Sequence, residues 1–129
     1  MKHKLSFCSI NILSDSIAEV IINKNTVVSM EMVEELYQLI SKLFVKNFGV
    51  LINKINPYIY SFEAKLSIGS HANLIAIAIV NYNSKGMAVT QDITQFRKMD
   101  DWNLKSFSGL ELGWQEGLDW LKKELSAIN

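Results

Sequence analysis

The sequence predicts an α/β fold, a mixed sheet of about five strands with helices on its faces. Three observations predict it. Residues 74–80, Leu-Ile-Ala-Ile-Ala-Ile-Val, form an apolar run of the kind found in a strand covered on both sides. Met32, Val33, Leu36, Tyr37, Leu39, Ile40, Leu43 and Phe44 recur at helical spacing and make one apolar stripe. Short β-branched segments alternate with helical ones along the chain, as crossovers onto a parallel sheet require.

In residues 5–13, Leu5 and Phe7 share one parity and Cys8, Ile10 and Ile12 the other, which reads as a first strand with a register change. Ser14, Asp15 and Ser16 supply turn chemistry. Ile17–Ile22 is β-branched and bounded by Asn23, Lys24 and Asn25, so it is expected to form a hairpin with the first strand. The helical stripe begins after Ser29, whose hydroxyl suits an N-cap. Glu31, Glu34 and Glu35 lie near the positive end of the helix dipole and Lys42 and Lys46 near its negative end, as a solvated face requires.

Asn47 and Gly49 are expected to end that helix, and Val50, Leu51 and Ile52 to form a strand closed by Asn53 and Lys54. Residues 55–60 hold the only proline, Pro57, and Ser61 can cap a short helix through about Gly69. A central strand follows over residues 74–82. Residues 85–97, with Met87, Ile93 and Phe96, form a weaker helical pattern that Asp100, Asp101, Trp102 and Asn103 break. A final strand over 104–107 precedes a C-terminal amphipathic helix marked by Trp114, Leu118, Leu121 and Leu125. Gly117 on its stripe costs helix propensity and points to close packing.

A chain of 129 residues, 49% hydrophobic and 20% charged, suits one domain spanning residues 1–129. Thirteen basic and thirteen acidic side chains cancel, which disfavours general binding to nucleic acid or an anionic membrane. Asn11, Asp15 and Glu19 interrupt any signal-peptide core, and the apolar run at 74–80 falls well short of the roughly 20 residues of a membrane span. The lone Cys8 has no intrachain partner and reads as a small core residue. A cytoplasmic location is the resulting expectation.

No constellation of side chains points to catalysis. His3 and His71 lack a second soft ligand at a recognised metal spacing, and Cys8 lacks an evident activating base. Asp100 and Asp101 read as solvated turn acids, and Gly109 and Gly113 do not make a phosphate-binding fingerprint. No catalytic residue, metal or cofactor is therefore expected. Tyr58, Tyr60 and Phe62 gather around Pro57 and form either a contact patch or a cover over the sheet edge. Trp114 and Trp120 lie on different helix faces, so one is expected inward and the other over an edge or against a partner.

The order of elements resembles the STAS fold of anti-sigma-factor antagonists and sulfate-transporter tails, and more narrowly a SpoIIAA-like group of small bacterial proteins. The stretches carrying the likeness are residues 28–44, 48–53, 61–81 and 102–121, the last ending in Phe107 and Gly117-Leu118-Asp119-Trp120-Leu121. In anti-sigma antagonists the resemblance implies a phosphorylatable serine at the start of the helix after the third strand, within an Asp-Ser-Ser-Gly-like motif. The nearest position is Ser61, in Tyr60-Ser61-Phe62-Glu63, without the aspartate, second serine or glycine. Ser61 is thus a candidate phosphorylation site whose simpler role is an N-cap.

The expected function is a non-catalytic regulatory or protein-interaction domain, STAS-like, with a partner-binding surface at Asn56, Tyr58, Tyr60 and Ser61. The carboxyl ends of strands in open α/β sheets collect such surfaces. The alternative is a small-molecule or lipid-binding module with an apolar pocket between helices and sheet. A homodimer is compatible with either.

Overall fold

A computed structural model of the chain describes residues 2–68, 71–83 and 103–127. The helix expected over residues 85–97 and the acidic break at Asp100 and Asp101 lie outside the described residues. A mixed six-stranded sheet forms the centre, with strand order β1-β2-β3-β5-β7-β8. Its strands are β1 (Lys2–Lys4), β2 (Cys8–Ser14), β3 (Ile17–Ile22), β5 (Phe48–Lys54), β7 (Leu74–Asn81) and β8 (Leu104–Ser108). A second, two-stranded sheet pairs β4 (Val27–Val28) with β6 (Ile59–Tyr60). The helices are α1 (Met30–Leu43), α2 (Phe62–Ser67) and α3 (Gly113–Ser126), the last preceded by a 3-10 turn at Gly109–Glu111.

The first expected strand is two strands. The Leu5 N–H donates to the Cys8 carbonyl at 2.9 Å, so the chain turns between Leu5 and Cys8 and β1 pairs antiparallel with β2. This turn adds the sixth strand. The exposed Lys2 and Lys4 lie on that edge, where lysines discourage further pairing. The β2–β3 hairpin forms as expected, with an irregularity in register between Ile12 and Ser14, and strand alternation puts Ile12 and Leu13 on opposite faces.

From β3 to β8 the neighbouring strands run parallel, with α1 and α2 on one face and α3 on the other. Alternation along β7 divides its side chains. Ile77 and Ile79 pack into the α1 core, while Ala76, Ala78 and Val80 meet Leu121 and Leu125 of α3. This strand is internal and doubly covered, the arrangement its continuous apolar run predicts. Gly117 lies close to it: a Cβ there would stand 3.4 Å from the Ala78 Cβ.

Ser29 caps α1, its Oγ accepting from the Met32 N–H at 3.2 Å. The helix ends earlier than Asn47. Phe44 turns extended and buries its ring against Phe48, with centroids 5.7 Å apart. Gly49 is therefore a strand residue and not a helix terminator. A Cβ on it would come within 3.1 Å of Leu121 Cδ2, so its bare backbone gives α3 room on the sheet.

The β4–β6 pairing has no counterpart in the sequence expectations. Asn25 takes a left-handed conformation, φ 62°, and its N–H reaches the Pro57 carbonyl at 2.7 Å. Val27 then pairs with Ile59 and Val28 with Tyr60, and the Ser61 N–H donates to the Val28 carbonyl at 2.8 Å. Each strand passes through one capping serine into a helix, Ser29 into α1 and Ser61 into α2.

Candidate functional site

Among the described residues, the buried polar or charged side chains are Glu19, Lys54 and Asn81, one on each of the adjacent parallel strands β3, β5 and β7. Lys54 and Asn81 are register partners at the carboxyl ends of their strands. Open parallel sheets gather ligand-binding groups at that edge. The expected strand closure at Asn53 and Lys54 is replaced by a strand that carries Lys54 into the packed interior and leaves Asn53 half-buried.

On the α3 face, Glu19 accepts three hydrogen bonds. Asn11 Nδ2 lies 3.1 Å from Oε1, and Asn53 Nδ2 and Trp114 Nε1 lie 3.0 and 2.7 Å from Oε2. Tyr82 donates its hydroxyl to Asn53 Oδ1 at 2.6 Å. Burial, and then the charge of Glu19, raise the Tyr82 pKa above its ordinary value. With three donors on one carboxylate, Glu19 ties α3, through Trp114, to strands β2, β3 and β5. Trp114 is the inward tryptophan of α3, whereas Trp120 packs on Phe107 at the β8 edge, centroids 6.0 Å apart.

On the α1 face, Lys54 is only 5% exposed. Its Nζ donates to the Tyr58 carbonyl at 3.2 Å and stands 3.2 Å from the centroid of the Tyr58 ring. Burial pushes its pKa down from 10.5 to about 8. Tyr58 and Tyr60 meet edge to face at 5.4 Å, and their hydroxyls share a hydrogen bond of 3.1 Å. Burial raises the pKa of both phenols. Tyr37 of α1 is raised by burial as well, and its hydroxyl donates to the Ile68 carbonyl. The clue to Lys54 in the sequence is parity: it continues the buried series Phe48, Val50, Ile52.

The residues expected to contact a partner are placed differently from one another. Tyr58 and Tyr60 are core residues, because the β4–β6 pairing turns them under the loop and onto Lys54. As placed, they offer no surface. Asn56 donates from Nδ2 to the Ile22 carbonyl at 3.0 Å and braces the loop against β3. Ser61 is half-buried and caps α2, its Oγ accepting from the Ala64 N–H at 3.2 Å. Facing out from the same segment are Ile59, 54% exposed, and Phe62, 62% exposed. Ser61→Ala is expected to cost about 0.5 to 2 kcal/mol in urea unfolding, and Ser61→Asp to retain wild-type stability, since aspartate also caps.

His71 lies at the other end of the sheet, beside a groove of about 530 Å³ lined in part by Tyr37, Gln38 and Ser41. The Asn73 N–H donates to His71 Nδ1 at 3.2 Å, so the neutral ring carries its proton on Nε2, which donates to Ser41 Oγ at 2.8 Å. A base activating Ser41 would need the opposite arrangement. Cys8 is buried, and burial followed by the charge of Glu35 raises its thiol to about 12. It is therefore a poor nucleophile as placed.

Among the described residues, no group of three or more His, Cys, Asp or Glu side chains is placed to hold a metal ion. No described helix is long and apolar enough to cross a membrane. Compared with protein-family models, curated proteins and solved structures, the chain matches none.

Proposed function

We propose that the chain is a non-catalytic, STAS-like protein-interaction domain that docks a partner protein through the apolar surface beside Ser61. The observation that carries this reading is the register of β4 and β6. Val27 and Ile59 are paired across it, and both are 54% exposed. Met30 and Phe62, also exposed, open the two helices that leave these strands. Apolar side chains gathered in this way mark interaction surfaces, whereas isolated ones do not. The mixed sheet, with helix and strand alternating after an initial hairpin, supports the STAS-like reading.

The apolar-pocket alternative has the open groove beside His71 to draw on, and not the core space between α1 and the sheet. The space among Phe7, Val20, Leu36, Val50 and Ile68 measures about 10 Å³, room for no more than a water. To test the docking surface, a photo-crosslinking residue is placed at Ile59 in cells of the protein's own source, with the exposed Val45 as a distant control. A protein captured from Ile59 and not from Val45 is the expected result, and equal capture from both rejects the reading. Ile59→Glu combined with Phe62→Glu is expected to weaken the captured pair at least about tenfold while shifting stability by about 0.5 kcal/mol or less.

A further inference from the structure

The Lys54 ammonium is a buried cation without a countercharge among the described residues. An ammonium has three N–H donors, and the Tyr58 carbonyl accepts one hydrogen bond from it, while the Tyr58 ring provides a π-face. Neither neutralises the charge. Proteins that bury a cation pair it with an anion or tolerate a large desolvation penalty. Here the group occupies the carboxyl end of an internal parallel strand, register-paired with the buried Asn81.

We infer that Lys54 is the cationic centre of a site for a small oxyanion, a carboxylate or phosphate group, at the carboxyl edge of β5 and β7. The anion supplies the countercharge that the described residues lack and takes the donor capacity left by the Tyr58 carbonyl. In the segment that follows Lys54, Ile55 and Pro57 are exposed and the Asn56 side chain holds the loop to β3. The hydroxyl pair of Tyr58 and Tyr60 and the raised pKa values of these phenols keep them neutral, so they do not repel an arriving anion. This site lies in the interior and is separate from the surface at Val27 and Ile59.

The test follows the Lys54 Cε signal by NMR in protein labelled with 13C at that carbon of lysine, assigned by its disappearance in Lys54→Met. Inorganic phosphate and acetate are titrated separately at constant ionic strength set with chloride. The expected result is a saturable change for one of the two anions, a rise of about one unit in the Lys54 titration midpoint, and a Tm increase that Lys54→Met lacks. Response to acetate identifies a carboxylate ligand, and response to phosphate a phosphoryl one. An unchanged Lys54 signal and midpoint up to about 50 mM of either anion overturns the inference, as does an equal Tm response in wild type and Lys54→Met. Should Lys54→Met fail to fold, Lys54→Gln supplies the same assignment and the same control.

Discussion

Glu19→Ala is expected to destabilise the protein by about 3 to 5 kcal/mol in urea unfolding. Removing the carboxylate, itself only 6% exposed, leaves the half-buried amides of Asn11 and Asn53 and the indole N–H of Trp114 without their acceptor. Each orphaned donor costs about 1 to 3 kcal/mol, and relaxation recovers part of the sum. Glu19→Gln separates this network from simple volume. Its single carbonyl oxygen can keep the two donors now on Oε2, and Asn11 can turn its own oxygen toward the new amide, so a loss of only about 1 kcal/mol is expected. If Glu19→Ala and Glu19→Gln unfold at the same urea midpoint as wild type, the carboxylate does not hold α3 to the sheet.

Lys54→Met is expected to stabilise the protein near neutral pH, and the size of the effect is expected to depend on pH in a direction that follows from the depressed pKa. The folded state releases the Lys54 proton near pH 8, and the unfolded chain near 10.5. Below pH 8 both states carry the charge, and the folded state bears the full penalty of burying it. Between these values the unfolded state binds the extra proton, so wild-type stability gains from this group as pH rises, and the penalty is gone above 10.5. Discounted for solvent screening near the sheet edge, the gap between Lys54→Met and wild type should be about 2 kcal/mol at pH 7 and close toward pH 10.

Other groups act in the opposite sense. The raised Cys8 thiol and the raised phenols of Tyr37, Tyr58 and Tyr60 withdraw stability as pH climbs past the ordinary values of 9.0 and 10.0. They are present in both proteins, so the difference between the two isolates Lys54. A gap that stays constant from pH 7 to 10, in buffers free of phosphate and carboxylate, would show that Lys54 is not buried as a charge.

Legibility differed from one element to the next for physical reasons. The Ile17–Ile22 strand, the apolar stripe of α1 and the caps at Ser29 and Ser61 were readable because alternation, helical period and a capping hydroxyl act over a few residues. The turn between Leu5 and Cys8 was not, since no glycine or proline announces it and its closing bond joins backbone groups alone. Gly49 misled for a related reason. Glycine signals a helix end and a close approach with the same letter, and only the docked Leu121 shows which applies.

The candidate site depended most on distant contacts. In residues 55–62 the aromatic and aliphatic side chains alternate, and the sequence names the segment without saying which parity faces water. Pairing with Val27 and Val28 settles that, sending Tyr58 and Tyr60 inward and leaving Ile59 outside with Phe62. Glu19 finds its partners 8, 34 and 95 residues away along the chain. By itself, the sequence determined the α/β class, the doubly covered internal strand and the starts of α1 and α2, because these follow from local periodicity, capping and the burial they demand. Only the tertiary structure decided which polar residues lie inside and which apolar ones outside, because a side chain's cost of burial depends on the partners that distant segments bring to it.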